Sequence, residues 1–334
     1  MSLLQQVKVS MLELASLRDD DPGPGPALQR ALQTARHVEA LGFERFWVAE
    51  HHNMKTVASS ATSVFMGFLA ANTERIRIGS GGIMLPNHAP LVVAEQIGTL
   101  AALYPGRIDL GLGRAPGTDP LTSRALRRHL DSDAERFPED VTEVQAYLGP
   151  LQPGQRILAM PGVDSDVPLW LLGSSLFSAQ LAAQMGLPYS FASHFAPRFM
   201  MQAIELYRCQ FQPSAQLDKP KVMLGIPLVL ADTDEQAQRL ATTAQQRILS
   251  LLRGNLQAMQ PPVASMDGLW TPAEERGVGD FLGMAVIGSP ATARQRLQAL
   301  LERTGADELI FTCDMYDIED RLHVLSLLAG LKQE

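Results

Sequence analysis

The sequence predicts an α/β fold, a (β/α)8 TIM barrel with a long insertion between strands 7 and 8. Three observations predict it: eight short apolar segments alternate with helical stretches, glycine stops precede four of them, and a dinucleotide-binding turn is missing. The apolar segments fall near residues 7–13, 43–49, 75–80, 107–113, 169–173, 189–192, 221–230 and 308–313. Eight such alternations close a barrel more readily than they build an open sheet. Four times an amphipathic helix ends on glycine and the chain turns at once into a strand, as a right-handed crossover requires. Leu41-Gly42, Tyr104-Pro105-Gly106, Met185-Gly186 and Thr304-Gly305 mark these places. A doubly wound sheet would carry GxGxxG after its first strand, where this chain has Leu14-Ala15-Ser16-Leu17-Arg18.

Taken in order, the proline- and glycine-rich stretch from Asp21 to Pro26 reads as a rigid turn into the first helix, with Pro26 near its first position. That helix shows an apolar stripe, Leu28, Leu32, Ala35, Val38 and Leu41, and is expected to turn Arg30, Gln33 and Arg36 to water. The connection between the seventh and eighth strands runs for about 75 residues, far beyond the usual 2–6 residue loops of α/β units. Its middle, 254–283, holds Pro261-Pro262 and several glycines and is expected to form a mobile lid within a single domain spanning 1–334. The competing reading is a disordered insertion without function.

Of the 334 residues 46% are hydrophobic and 19% charged, a balance that supports a large core and argues against extensive disorder. The net charge of −8, without a long Lys or Arg run, argues against nucleic acid and membrane surfaces as partners. Two distant cysteines, Cys209 and Cys313, support neither a disulfide framework nor a zinc site. With no membrane-length apolar stretch and no signal-peptide pattern near the start, a cytoplasmic location is expected.

In such a barrel the functional groups come from the C-terminal ends of the strands. Those exits are polar here: Glu50-His51-His52-Asn53, Ser80-Gly81-Gly82, Gly113-Arg114, Gly173-Ser174-Ser175, Ser193-His194 and Asp314. Ser174 and Ser175 open a helix, with Ser178 one turn on, so hydroxyls and unpaired N–H groups meet where the helix dipole favours a phosphate. The plainer alternative makes Ser175 only a helix cap. Arg114, set between glycines on the neighbouring exit, suits a phosphate partner. Gly81-Gly82 would let the backbone approach a flat ligand, although an ordinary glycine turn has the same signature. His51 and His52 must face opposite ways, so one can serve acid–base chemistry while the other packs. A metal hydrolase on this fold would recruit His51, His194 and Asp314. The first strand lacks the HxH pair such enzymes use, so no metal site is expected.

In order, Trp47-Val48-Ala49-Glu50-His51-His52, Ile78 to Pro86, Gly106 to Arg114, Pro168 to Ser175, Gly186-Leu187-Pro188 and Val286 to Pro290 resemble the bacterial luciferase-like flavin monooxygenase family, the alkanal monooxygenase-like group. The resemblance covers nearly the whole chain. It implies reduced FMN at the barrel mouth as co-substrate, with molecular oxygen adding to its C4a carbon to give a peroxyflavin that oxidises a small hydrophobic substrate such as an aldehyde. His51 matches the catalytic histidine, Arg114 the phosphate-binding arginine, Ser175 and Ser178 hydroxyl donors, and Gly81-Gly82 a non-proline cis peptide against the isoalloxazine ring. Ser174 takes the place of an acidic residue, which makes the phosphate pocket less negative. Gly113 stands where the light-emitting enzyme has a reactive cysteine, and a shorter segment after Arg114 leaves Arg124 unassigned. Light emission is not implied. A two-component system with a separate flavin reductase is expected, since no dinucleotide fingerprint is present, and so is a homodimer. The family's other outcomes are a deazaflavin (F420)-dependent reductase or dehydrogenase and a non-catalytic flavin-binding protein.

Overall fold

The computed structural model describes residues 2–115, 119–126, 135–193 and 197–333. Eight parallel strands close into a barrel: β1 (Lys8–Glu13), β2 (Arg45–Val48), β3 (Arg77–Ser80), β5 (Ile108–Gly113), β6 (Leu169–Gly173), β7 (Tyr189–Phe191), β8 (Val222–Leu230) and β10 (Glu308–Thr312). Each pairs with the next, and β10 joins both β1 and β8, so the sheet has no free edge. All eight expected segments are strands. Two short strands were not expected: β4 (Ile83–Met84) lies along β5, and β9 (Val286–Gly288) continues the pairing at the end of β8.

Strand alternation divides the core in two. Outward-facing apolar residues pack under the helices, while Leu12, Trp47, Ala49, Trp170, Met223 and Ile310 fill the barrel interior. Trp47 and Trp170 meet edge to face at 5.5 Å, so Trp47 is packing, as its buried position on β2 suggested. Below them the barrel floor is ionic. Arg45 forks onto Glu308 at 2.6 and 3.1 Å and reaches Asp109 at 2.6 Å, while Arg77 and the Trp47 indole N–H also donate to Asp109. Asp109 and Glu308 are fully buried. Burial alone would lower the Arg45 pKa, but the two carboxylates outweigh it and raise it.

The helix after β1, Gly25–Ala40, buries Leu32, Ala35 and Val38 of the expected stripe, with Leu28 and Leu41 partly covered and Ala27 and Ala31 buried beside them. Arg30 departs from expectation: it forks onto Asp21 at 2.6 and 2.7 Å and is not simply turned to water. The turn from Asp21 to Pro26 folds back over the helix it starts, which brings the carboxylate within reach.

The long connection is built, not structureless. Helix Asp234–Leu252 leads into residues 254–271, then helix Pro272–Phe281, β9 and helix Pro290–Thr304. Thr271 and Glu274 form a reciprocal capping box, Arg253 pairs with Glu274, and Leu249, Met266 and Val278 make a small core of their own. Backbone bonds from Met259 to Leu17 and from Asp19 to Met259 tie the insertion to the loop after β1.

Candidate active site at the barrel mouth

Two adjoining cavities open at the C-terminal ends of the strands and share Leu12, Gly81 and Met84 as walls. The first, about 260 Å³, gathers Gly81, Gly82, Arg114, Ser174, Ser175 and Ser178. The second, about 330 Å³, is mostly apolar and takes in His51, Met54, Ile248, Phe281 and Ile287.

The polar end of the first cavity comes from β5 and β6. Ser175 is the N-cap of helix Leu176–Gln184 in extended conformation, yet its side chain makes no capping bond, so the first-turn N–H groups stay available. Arg114 stacks over Phe177 in the first turn of this helix, 4.2 Å from the ring centre, and has no carboxylate partner among the described residues. A guanidinium fixed beside an uncapped helix start is an arrangement suited to a phosphate. Ser178 is brought to the same wall, but it is buried and its hydroxyl donates to the Ser175 carbonyl at 2.8 Å, with the Tyr189 hydroxyl 3.1 Å away. It can donate to a ligand only by giving up that bond. Arg124 lies exposed on helix Pro120–Leu126 and does not line the cavity.

The Gly81–Gly82 peptide is cis, as the resemblance implied. Close approach requires glycine at Gly82, where a Cβ would stand 2.7 Å from the Gly111 carbonyl oxygen, while one on Gly81 would displace the end of the Leu12 side chain. Gly81 offers bare backbone to both cavities and Gly82 to the first.

The histidines separate as expected, although both lie beyond the end of β2 at Val48. His51 lines the second cavity, with its backbone N–H bonded to Ser59. His52 turns away and shares the buried Glu50 with His88, at 2.9 and 2.8 Å to the same oxygen. Burial would raise the Glu50 pKa, but the bonds from the two imidazoles outweigh it and hold the carboxylate below its usual range. His88 was missed from sequence, because only the chain reversal after Pro86 brings it against Glu50. These three side chains also lie close enough to hold a metal ion, although the two hydrogen bonds already account for their grouping. Of the set a metal hydrolase would need, Asp314 pairs instead with Arg247 at 3.2 Å, and His194 lies outside the described residues.

Comparison with known proteins agrees with this geometry. The family model described as luciferase-like monooxygenase matches residues 7–308. A luciferase-like monooxygenase of Escherichia coli K12 is 48% identical over 328 residues, covering 98% of each chain. The solved structure of apo-MsnO8 superposes with a TM-score of 0.91 at 35% identity over 98% of each chain. The oxygenating constituent of 3,6-diketocamphane monooxygenase from Pseudomonas putida, solved in complex with FMN, shares the fold at 15% identity, with a TM-score of 0.74 over 98% of this chain and 97% of that one. The chain belongs to the luciferase-like monooxygenase family, and is a flavin-dependent oxidoreductase.

Proposed function

We propose that this chain is an FMN-dependent monooxygenase that uses reduced flavin and molecular oxygen to oxidise a hydrophobic organic substrate. The observation that carries the reading is that the two cavities adjoin across shared walls: a polar end with Arg114, bare backbone at Gly81–Gly82 and an apolar chamber with His51 in its wall. The residues fit a phosphorylated, flat cofactor. Arg114 and the start of helix Leu176–Gln184 would hold the phosphate, with Ser174 and Ser175 beside it, and the glycine pair would lie against the ring system. Reduced FMN supplies the two electrons with which one atom of oxygen enters the substrate and the other leaves as water. His51 holds or moves a proton at its imidazole nitrogen, a task suited to a group whose ordinary pKa is about 6.5. The apolar walls exclude water. A separate reductase would supply the reduced flavin, since the fold offers no dinucleotide-binding turn.

Titration with oxidised FMN, reduced FMN and F420, followed by oxygen consumption with each, tests the reading. Tight FMN binding with oxygen uptake supports it, a preference for F420 without oxygen uptake replaces it with a deazaflavin reductase, and FMN binding without turnover leaves a flavin-binding protein. Arg114→Ala is expected to weaken FMN by about 1.5–3 kcal/mol, because a charge-assisted bond to the phosphate is lost. Riboflavin lacks the phosphate and is the control. Equal weakening of both would remove Arg114 from the phosphate.

We also assign residues 254–283 to a lid, because Leu256, Phe281 and Leu282 form part of the wall of the second cavity. The double substitution Leu256→Ser, Phe281→Ser should leave FMN affinity unchanged while hydrogen peroxide released per substrate oxidised rises several-fold, because water reaches the site. Unchanged coupling would reduce the segment to a scaffold.

A further inference from the structure

We infer that the second cavity selects an apolar molecule bearing one carboxylate, read by Arg247. The inference deepens the monooxygenase reading and rests on it only for the reaction, not for the binding. Arg247 projects from helix Asp234–Leu252 into a wall otherwise made of Ala241, Ala244, Ile248 and Leu251 on that helix. A guanidinium in such a wall is costly to desolvate unless its donors are used. Its protein partners use one nitrogen only. Nη1 donates to Ser16 Oγ at 2.5 Å and to Asp314 Oδ2 at 3.2 Å, while Nε and Nη2 have no protein partner among the described residues. Neither belongs to the sealed, unpartnered atoms of the core, so both keep accessible surface, and Arg247 is part of the cavity wall.

This geometry leaves the better face of the guanidinium vacant. Nε and Nη2 form the parallel donor pair that matches the two oxygens of a carboxylate, whereas Asp314 engages Nη1 alone and through one oxygen. Asp314, with its side chain 30% exposed, offsets part of the positive charge but cannot fill that face from where it sits. An aldehyde or alcohol brings a single neutral oxygen for the two donors, whereas a carboxylate meets each with its own oxygen and adds a charge. Apart from His51 and Thr312, the rest of the wall is apolar, with Leu14, Leu228, Leu256, Phe281, Leu282 and Ile287 suited to an apolar body.

Calorimetric titration of the protein without flavin, using decanoate and decanol at neutral pH, tests the proposal. Decanoate should bind about tenfold more tightly than decanol to the wild type. Arg247→Leu should abolish that preference while retaining decanol, because leucine preserves the apolar wall. Asp314→Asn should strengthen decanoate several-fold and leave decanol unchanged, because a like charge beside the head is removed. Equal affinity of the wild type for both ligands overturns the proposal, as does a preference that survives in Arg247→Leu. If Arg247→Leu does not fold, Asp314→Asn decides, and an unchanged decanoate-to-decanol ratio counts against it. FMN titration of the same proteins keeps the two readings apart, since loss of flavin binding in the wild type would remove the cofactor assignment and leave the carboxylate preference standing.

Discussion

Arg45→Met is expected to destabilise the fold by about 3–5 kcal/mol, the scale on which removing one partner strands a buried charge. The side chain sits between Asp109 and Glu308, each fully buried, and supplies three of the bonds that make their burial tolerable. After the substitution Asp109 keeps Arg77 and the Trp47 indole, but among the described residues the Glu308 side chain retains only the Ser10 hydroxyl. Glu308 should therefore account for most of the loss. The double variant Arg45→Met, Glu308→Leu should recover a substantial part of it, because an apolar pair of similar volume needs no compensation. Denaturant unfolding of both variants measures the effect. A single-variant cost below about 1 kcal/mol, or a double variant no better than the single, would mean that water reaches the floor and that these charges are not sealed.

The floor was invisible in the sequence, and the reason applies to other features missed there. Arg45, Asp109 and Glu308 each read as an isolated charge beside an apolar run, and only closure of β10 onto β1 and β8 brings them together. The strands themselves were legible because their signal is local: a buried parallel strand shows as a short apolar run, and a preceding glycine ends the helix before it. That His51 and His52 would part was expected from alternation, but β2 ends at Val48, so the loop after it, not the pleat, sets where each side chain goes. Which partner each would meet was not legible. His52 meets His88 through Glu50, and Arg247 meets Asp314 across the whole length of the insertion. The insertion was recognised by its length, but its helix Pro272–Phe281 was not singled out, because Gly277 and Gly279 inside it read as loop residues. A capping box and an apolar face against Leu249 and Met266 outweigh that low propensity. Ser178 lines the same cavity as Ser175, as its spacing suggested. Its internal bond to the Ser175 carbonyl depends on side-chain rotamer and on Tyr189 from the next strand, neither of which spacing encodes.

His51→Ala is expected to lower substrate oxidation by about 10²–10⁴-fold, the usual range for a positioned acid or base, while reduced FMN binds with unchanged affinity. The split follows from position: His51 lines the apolar cavity, whereas the proposed phosphate contacts all lie on the other cavity's wall, beyond Gly81. His52→Ala removes one of two imidazoles from the buried Glu50 and should act on stability instead. Its sign with pH follows from Glu50. A carboxyl held below its usual range by the two imidazoles contributes stability above its unfolded pKa of about 4.3, and loses it as pH falls through the lower folded value. His52→Ala should thus be less stable than wild type at neutral pH, with the gap narrowing as the solution is acidified below about pH 4. Single-turnover measurements with pre-reduced FMN keep flavin supply from masking the chemical step, and thermal unfolding across pH follows the second effect. A severe catalytic loss in His52→Ala with a mild one in His51→Ala would reverse the roles assigned to the two faces of this strand exit. Full activity in both would move the proton to another group in the cavity, and Asp314, which lines it beside Arg247, would be the next to replace.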